Sequence, residues 1–272
     1  METINPLKKS PIGIFDSGLG GLTVLKSLEK LLPNESFIYF GDTAHVPYGS
    51  KSAETVIRYS KSIMDFFMKH YTKAVVIACN TASAVAYDYL KKMYTIPLFD
   101  VVTPSVEYSI KISKSKNVGV IGTYSTIKSK AYTKMFKKLG RDYKVKEVPC
   151  PLFVPLIEEG WVDTSIAKNI VETYLNEFQH DNIQSLILGC THYPIMANTI
   201  QSVLSNKIEL IHSGKTVGNK LKDFLIKQNI ENSINSEPSV KFYVTDFPQK
   251  FDELGSRFLG RHLKNVSHIN SV

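Results

Sequence analysis

Two segments of the chain, AVVIACNTAS (74–83) and SLILGCTHYP (185–194), repeat one pattern. Each is a run of β-branched and aliphatic residues that stops at a cysteine, Cys79 or Cys190, with a threonine just behind it, Thr81 or Thr191. Short apolar runs ending in small polar residues read as buried strands of an α/β sheet. Ligands of such sheets sit beyond the carboxyl ends of the strands, where both thiols then fall. A matched thiol on each of two strand ends can approach one small molecule from two sides.

The repetition is larger than the cysteines. PIGIFDSG (11–18) is like NVGVIGTYS (117–125), FIYFGDTAHVPYG (37–49) is like VKEVPCPLFVPLIEEG (145–160), and IPLFDVVTPS (96–105) is like IELIHSGKT (208–216). The offset is 106 from Gly13 to Gly119, 108 from Pro47 to Pro155 and 111 from Cys79 to Cys190. Landmarks recurring in order at a nearly constant shift predict two similar α/β domains with mainly parallel sheets. We expect a pseudo-twofold axis between them and a shared cleft at their strand ends. The first domain takes residues 1–100 plus a returning segment, 211–272, and the second takes 101–210.

Strand-like and helix-like segments alternate, as βαβ units require. Helices are predicted over 23–33, closed by Pro33, and over 52–70 with Ser52 as N-cap. Others are predicted over 125–140, ending at Gly140, and over 165–179, 218–228 and 251–260. Lysines mark IKISKSKN (110–117) and YTKMFKKLG (132–140) as solvated helices, VKFYVTD (240–246) reads as a strand, and NIENSINSEPSV (229–240) as an exposed loop.

The composition excludes several classes. The 272 residues, 43% apolar and 21% charged, suffice for two globular domains with their own cores. No apolar stretch approaches the roughly 18 residues of a membrane span, and we expect no membrane partner. The N-terminus lacks the apolar core of a secretory signal, and we expect a cytoplasmic protein. Three scattered cysteines make neither a zinc site nor a disulfide framework, so we expect free thiols and no metal. The net charge of +8 fits attraction of an anionic small substrate. No basic run interleaves with aromatics, so nucleic acid is not expected as a primary partner. In DSGLGG, Gly18 and Gly20 begin a dinucleotide fingerprint, but Thr23 breaks it. These glycines suit a tight turn around a small carboxylate. With no recognisable pyridoxal-phosphate lysine, no cofactor is expected.

Two opposed thiols point to inversion of a carbon centre. A thiolate removes a proton from one face while a thiol returns one to the other. A gap of about ten pK units between carbon acid and thiol would cost roughly 14 kcal/mol, so the site must stabilise a carbanion and exclude water. Ser17, Asn80, Thr81 and Thr191 are short donors suited to a bound carboxylate. Asp16, near the first thiol, and His192, beside the second, can shuttle or polarise protons.

Five ordered segments, IGIFDSGLGGLTV, GDTAHVPYG, ACNTAS, PLFVPLIEEG and GCTHYP, resemble the signature of the glutamate racemases, within the aspartate/glutamate racemase family. IHSG (211–214) extends the likeness. The resemblance implies cofactor-independent interconversion of L- and D-glutamate for peptidoglycan synthesis, commonly by a homodimer. It implies that Cys79 takes the proton from D-glutamate and Cys190 from L-glutamate, assisted by Asp16, His192 and Glu158. Substrate contacts are implied for Asp16, Ser17, Tyr48, Gly49, Asn80, Thr81, Thr191 and His192.

Plainer roles stand beside these. Either thiol alone reads as a small buried apolar residue, and Cys150, before Pro151, reads as structural. Asp16 and Ser17 suit a cap for a helix at 19–32, His192 suits a helix start, and Glu158 with Glu159 suits a solvated acidic pair. His45 and Tyr48 are expected to line the cleft, Tyr48 with packing as its alternative. The competing functions are racemisation of aspartate or a hydantoin on the same fold, and a non-catalytic ligand- or nucleic-acid-binding relative.

Overall fold

The computed structural model describes residues 6–140, 142–232 and 237–270. Its strands are β1 (Ile12–Asp16), β2 (Phe37–Gly41), β3 (Ala74–Ile77), β4 (Leu98–Asp100), β5 (Asn117–Gly122), β6 (Lys144–Pro149), β7 (Ser185–Gly189), β8 (Glu209–His212), β9 (Val240–Val244) and β10 (Val266–His268). The α-helices are α1 (Leu22–Leu31), α2 (Ala53–Lys69), α3 (Asn80–Met93), α4 (Val102–Ile112), α5 (Tyr124–Ser129), α6 (Ala131–Lys138), α7 (Phe153–Glu158), α8 (Ser165–Leu175), α9 (Ala197–Val203), α10 (Ser213–Gln228) and α11 (Pro248–Leu259).

Two parallel sheets form, ordered β10-β9-β2-β1-β3-β4 and β6-β5-β7-β8. The four strands of the second sheet repeat the order β2-β1-β3-β4 of the first. The register repeats as well. Gly13 pairs with Val75, four residues before Cys79, and Gly119 pairs with Leu186, four residues before Cys190. Pro47 and Pro155 each lie six residues beyond their strand, β2 or β6. The central strands β1, β3 and β7 are buried along their whole length, which explains why they read as unbroken apolar runs.

Local signals work where chain chemistry is strong. Ser52 caps α2 by accepting the Thr55 amide at 3.3 Å, and Leu32 with Pro33 ends α1. Three expectations are corrected. The helix predicted over 125–140 is two helices, broken where Lys130 adopts a left-handed φ of 56°; Thr123 caps the first, and Gly140 follows the second at φ +65°. The helix predicted from residue 218 begins at Ser213, directly after β8, because Ser213 and Gly214 are buried against neighbouring elements. The helix predicted over 110–117 ends at Ile112, and β5 starts at Asn117. Gly21 precedes α1 and has no side chain of its own to cap it, and the Asp16 carboxylate accepts the Gly18 and Gly21 amides at this turn. Strand β10 carried no clear sequence signal. Of the loop expected over 229–240, residues 233–236 lie outside the described residues, as do residues 1–5 of the N-terminal stretch.

Among the described residues, no helix is long and apolar enough to cross a membrane.

Candidate active site

A cavity of about 590 Å³ opens at the carboxyl ends of both sheets. Cys79, after β3, and Cys190, after β7, both line it and are free thiols. Ser17, Asn80, Thr81, Thr191, His192 and Glu158 share the lining, as do Tyr48 and Gly49. Two of the sequence-selected residues lie elsewhere. Asp16 is fully buried behind the wall, so direct substrate contact by its carboxylate is not what its position supports. His45, expected to line the cleft, instead stacks on Tyr59 at 4.0 Å and pairs with Asp42 at 2.8 Å.

The strand-to-helix turn sets the first thiol. Cys79 occupies the N-cap of α3, and its sulfur accepts the Ala82 amide at 3.5 Å. Its thiol donates to Ser17 Oγ at 3.9 Å. Burial pushes this thiol up to about 12, and the nearby Asp16 carboxylate pushes the same way against the Ala82 amide. Cys79 is therefore a protonated thiol at neutral pH.

The second thiol has a different neighbour. His192 Nδ1 lies 3.9 Å from Cys190 Sγ, and Nε2 lies 3.0 Å from Glu158 Oε1. Burial alone would lower the imidazole, but hydrogen bonds to Cys190 and Glu158 raise it to about 10. The resulting imidazolium donates to both, placing positive charge directly beside the Cys190 sulfur. Phe258 of α11 meets the imidazole edge-on at 5.3 Å and closes its far side. Gly20 closes another: a Cβ there would fall 2.3 Å from Thr191 Oγ1 and 2.4 Å from His192 Nδ1, so only glycine permits this approach.

Asp16 links the halves. Its carboxylate accepts the Gly18 amide at 3.0 Å and the Thr191 hydroxyl at 3.3 Å. Burial raises its pKa, while the His192 charge and these hydrogen bonds oppose the rise. Three hydroxyls, Thr81, Thr123 and Thr126, form a cluster with separations of 3.0–3.1 Å between α3 and α5. Tyr132 donates to Asn80 Oδ1 at 2.6 Å, which leaves the buried Asn80 Nδ2 without a protein partner. Tyr48 donates to the buried Asp42 at 2.5 Å, and Asp42 also accepts from Thr245 at 3.0 Å. Cys150 lies outside the cavity lining, buried, with its thiol directed at Val148 O.

Sequence reasoning missed Thr123, Tyr132 and Asp42. For Thr123 the signal was present: Thr123 follows β5 as Ser17 follows β1, at the same offset of 106 as Gly13 and Gly119. Tyr132 and Asp42 act through contacts between distant segments and carry no comparable local mark.

Paired thiols at matched strand ends, with an acid/base neighbour for one and a carboxylate for the other, define an α/β chain equipped for proton transfer on two faces. The family model for Asp/Glu/Hydantoin racemase matches residues 12–218, and the chain belongs to that family. A glutamate racemase of a Sulfurihydrogenibium species is 45% identical over 251 residues, covering 92% of this chain and 94% of that protein. The crystal structure of glutamate racemase from Francisella tularensis in complex with D-glutamate aligns with a TM-score of 0.90 at 40% identity, covering 97% of this chain and 98% of that one. Glutamate racemase from Thermus thermophilus, in complex with β-chloro-D-alanine, aligns with a TM-score of 0.88 at 38% identity over 97% and 98% of the two chains.

Proposed function

We propose that this protein interconverts L- and D-glutamate without a cofactor, supplying D-glutamate for peptidoglycan synthesis. The observation that carries the reading is the lining of one cavity by both Cys79 and Cys190, each in the same register of a repeated sheet.

In this reading the substrate Cα sits between the sulfurs. Cys190, beside the His192 imidazolium, takes the proton from L-glutamate, and Cys79, a thiol at rest, supplies one to the opposite face. In the reverse direction Cys79 takes the proton from D-glutamate. His192 stabilises charge on the Cys190 sulfur and is held by Glu158. Asp16 is a positioning residue: it orients Thr191 and the turn at Gly18 and keeps Cys79 protonated. Among the described residues no lysine or arginine lines the cavity, so apart from the His192 cation the substrate carboxylates meet neutral donors. Ser17 and Thr81 supply hydroxyls, Thr191 presents its hydroxyl oxygen while its proton goes to Asp16, the free Asn80 amide donor is already desolvated, and Tyr48 with Gly49 shapes the remaining wall. Preorganised donors aimed at a carboxylate stabilise the charge that spreads into it as the carbanion forms.

The same reading carries a division into two domains, with the second ending after β8, since a boundary at residue 210 would cut that strand. It also carries a homodimer and a cytoplasmic place.

Incubating each enantiomer of glutamate and of aspartate in D2O, without pyridoxal phosphate, tests the proposal through optical rotation and deuterium at Cα. Inversion of glutamate alone is the expected result. Inversion of aspartate alone assigns the other substrate, and absence of exchange from either amino acid contradicts catalysis.

A further inference from the structure

The net positive charge of this chain comes from one segment. Residues 109–146 hold 11 of the 33 lysines and arginines and one of the 25 acidic residues, Asp142. The other 234 residues hold 22 basic and 24 acidic side chains, so they are close to neutral. The segment comprises the end of α4, strand β5, helices α5 and α6, and the start of β6.

The fold gathers much of this charge at one rim. Lys116 immediately precedes β5, and its carbonyl accepts the amide of Lys144, the first residue of β6, at 2.9 Å. The Tyr143 hydroxyl donates to the carbonyls of Ile110 and Ser113, and its ring packs on Phe136 of α6 at 5.0 Å. Lys111, Lys114, Lys116, Lys137 and Lys138 therefore converge at the amino-terminal end of the second sheet, all of them exposed. Among the described residues none of these five forms an ion pair. Lys144 joins them, its charge shared with Asp181 at 3.0 Å.

Helix capping explains part of the pattern. Lys111, Lys137 and Lys138 lie in the last turns of α4 and α6, where cations complement the helix dipole. It does not explain Lys114, Lys116 or the missing acids. An exposed leucine, Leu139, follows Lys138 at the tip of the rim, ahead of Gly140, whose surroundings are open for 4 Å. The rim is at the other end of β5 from the cavity, roughly 17 Å along that strand.

We infer that this rim is a docking surface for an anionic phospholipid membrane. The five unpaired lysines would supply the attraction, with Leu139 reaching the interface. Exposed lysines beside an exposed leucine fit a headgroup layer. Nucleic-acid surfaces favour arginine and stacking aromatics. Here Tyr143 is packed inward on Phe136. The expectation of no membrane partner rested on the lack of a span, and peripheral attachment needs none. Attachment at this end leaves the cavity open.

Sedimentation with vesicles tests the inference. At low salt the whole protein should pellet with equal parts phosphatidylcholine and phosphatidylglycerol, and should stay in solution with phosphatidylcholine alone. Binding should fall as salt is raised. The variant Lys111→Gln, Lys114→Gln, Lys137→Gln, Lys138→Gln should bind more weakly, by about five-fold for each lysine removed. A control variant with the same change in net charge, Lys91→Gln, Lys92→Gln, Lys222→Gln, Lys227→Gln, should bind as the parent does, and Leu139→Ser should bind a few-fold more weakly. Racemase activity reports the folding of every variant. The inference is overturned by equal loss in the rim and control variants, or by no pelleting with the anionic vesicles. Rim-dependent binding to duplex DNA without binding to vesicles would overturn it in favour of nucleic acid.

Discussion

The two thiol sites differ less in geometry than in charge. Both cysteines follow the third strand of a repeated four-strand order, four residues beyond the partner of an equivalent glycine. The repeat is broken at two positions beside them. Asp16, at the end of β1, corresponds to Gly122 at the end of β5, and Thr81, two residues after Cys79, corresponds to His192, two residues after Cys190. Burial and the nearby Asp16 carboxylate thus raise one thiol, while an imidazolium sits beside the other sulfur. Duplicated backbone gives two similar positions, and two side-chain differences give them unequal electrostatic surroundings. A site meant to hold one acid and one base needs that inequality.

Removing either sulfur should break the pairing most severely. Cys79→Ser and Cys190→Ser are each expected to lower inversion by about a thousand-fold or more, read as optical rotation. The comparison sharpens in D2O: Cys79→Ser should exchange the Cα hydrogen of L-glutamate but not of D-glutamate, and Cys190→Ser the reverse. Substantial inversion by either single variant would contradict the two-base scheme.

His192→Asn removes the cation from one side only. We expect a loss of about a hundred-fold, heavier in the L-to-D direction when kcat values from the two enantiomers are compared at saturating substrate. The Haldane relation holds the ratio of the two specificity constants fixed, so the asymmetry must appear in kcat and KM separately. The same variant tests stability against pH. His192 has a folded-state pKa raised from 6.5 to about 10, so its stabilising contribution is full below pH 6.5 and is lost as pH rises through about 10. The urea midpoint of the parent should fall across that window by more than that of His192→Asn.

Glu158→Gln should have a smaller effect, about ten-fold on turnover, since Glu158 is partly exposed and acts through His192. It should shift the alkaline limb of the pH–rate profile downward, because one of the interactions that raises the imidazole is lost. Asp16→Asn should change alkylation most visibly. Cys79, released from an adjacent carboxylate, should react with iodoacetamide at lower pH than in the parent.

Much of the fold was legible because parallel strands buried on both faces are written as apolar runs, and because the repeat supplied an order for them. The central strands and the cap at Ser52 follow from such local chemistry. Strand β10 was not legible: Val266–His268 is short and lies at the sheet edge, with little apolar pattern. The break at Lys130 was hidden too, since lysine is a good helix former and no glycine or proline marks the left-handed turn. At the site, the cysteines and hydroxyls could be read from strand ends. The burial of Asp16 behind Thr191 could not, because it depends on the second half folding against the first. His45 looked like a wall residue by its place in the motif, but Asp42 and Tyr59 turn it away from the cavity lining.

The central claim is that the two sulfurs serve opposite faces of a single carbon, and isotope placement at early turnover tests it most directly. With L-glutamate in D2O, D-glutamate formed in the first few per cent of reaction should carry deuterium at Cα, while the remaining L-glutamate keeps its hydrogen. Product that retains the original hydrogen, or deuterium appearing in both pools at equal rates from the start, would contradict two separate bases.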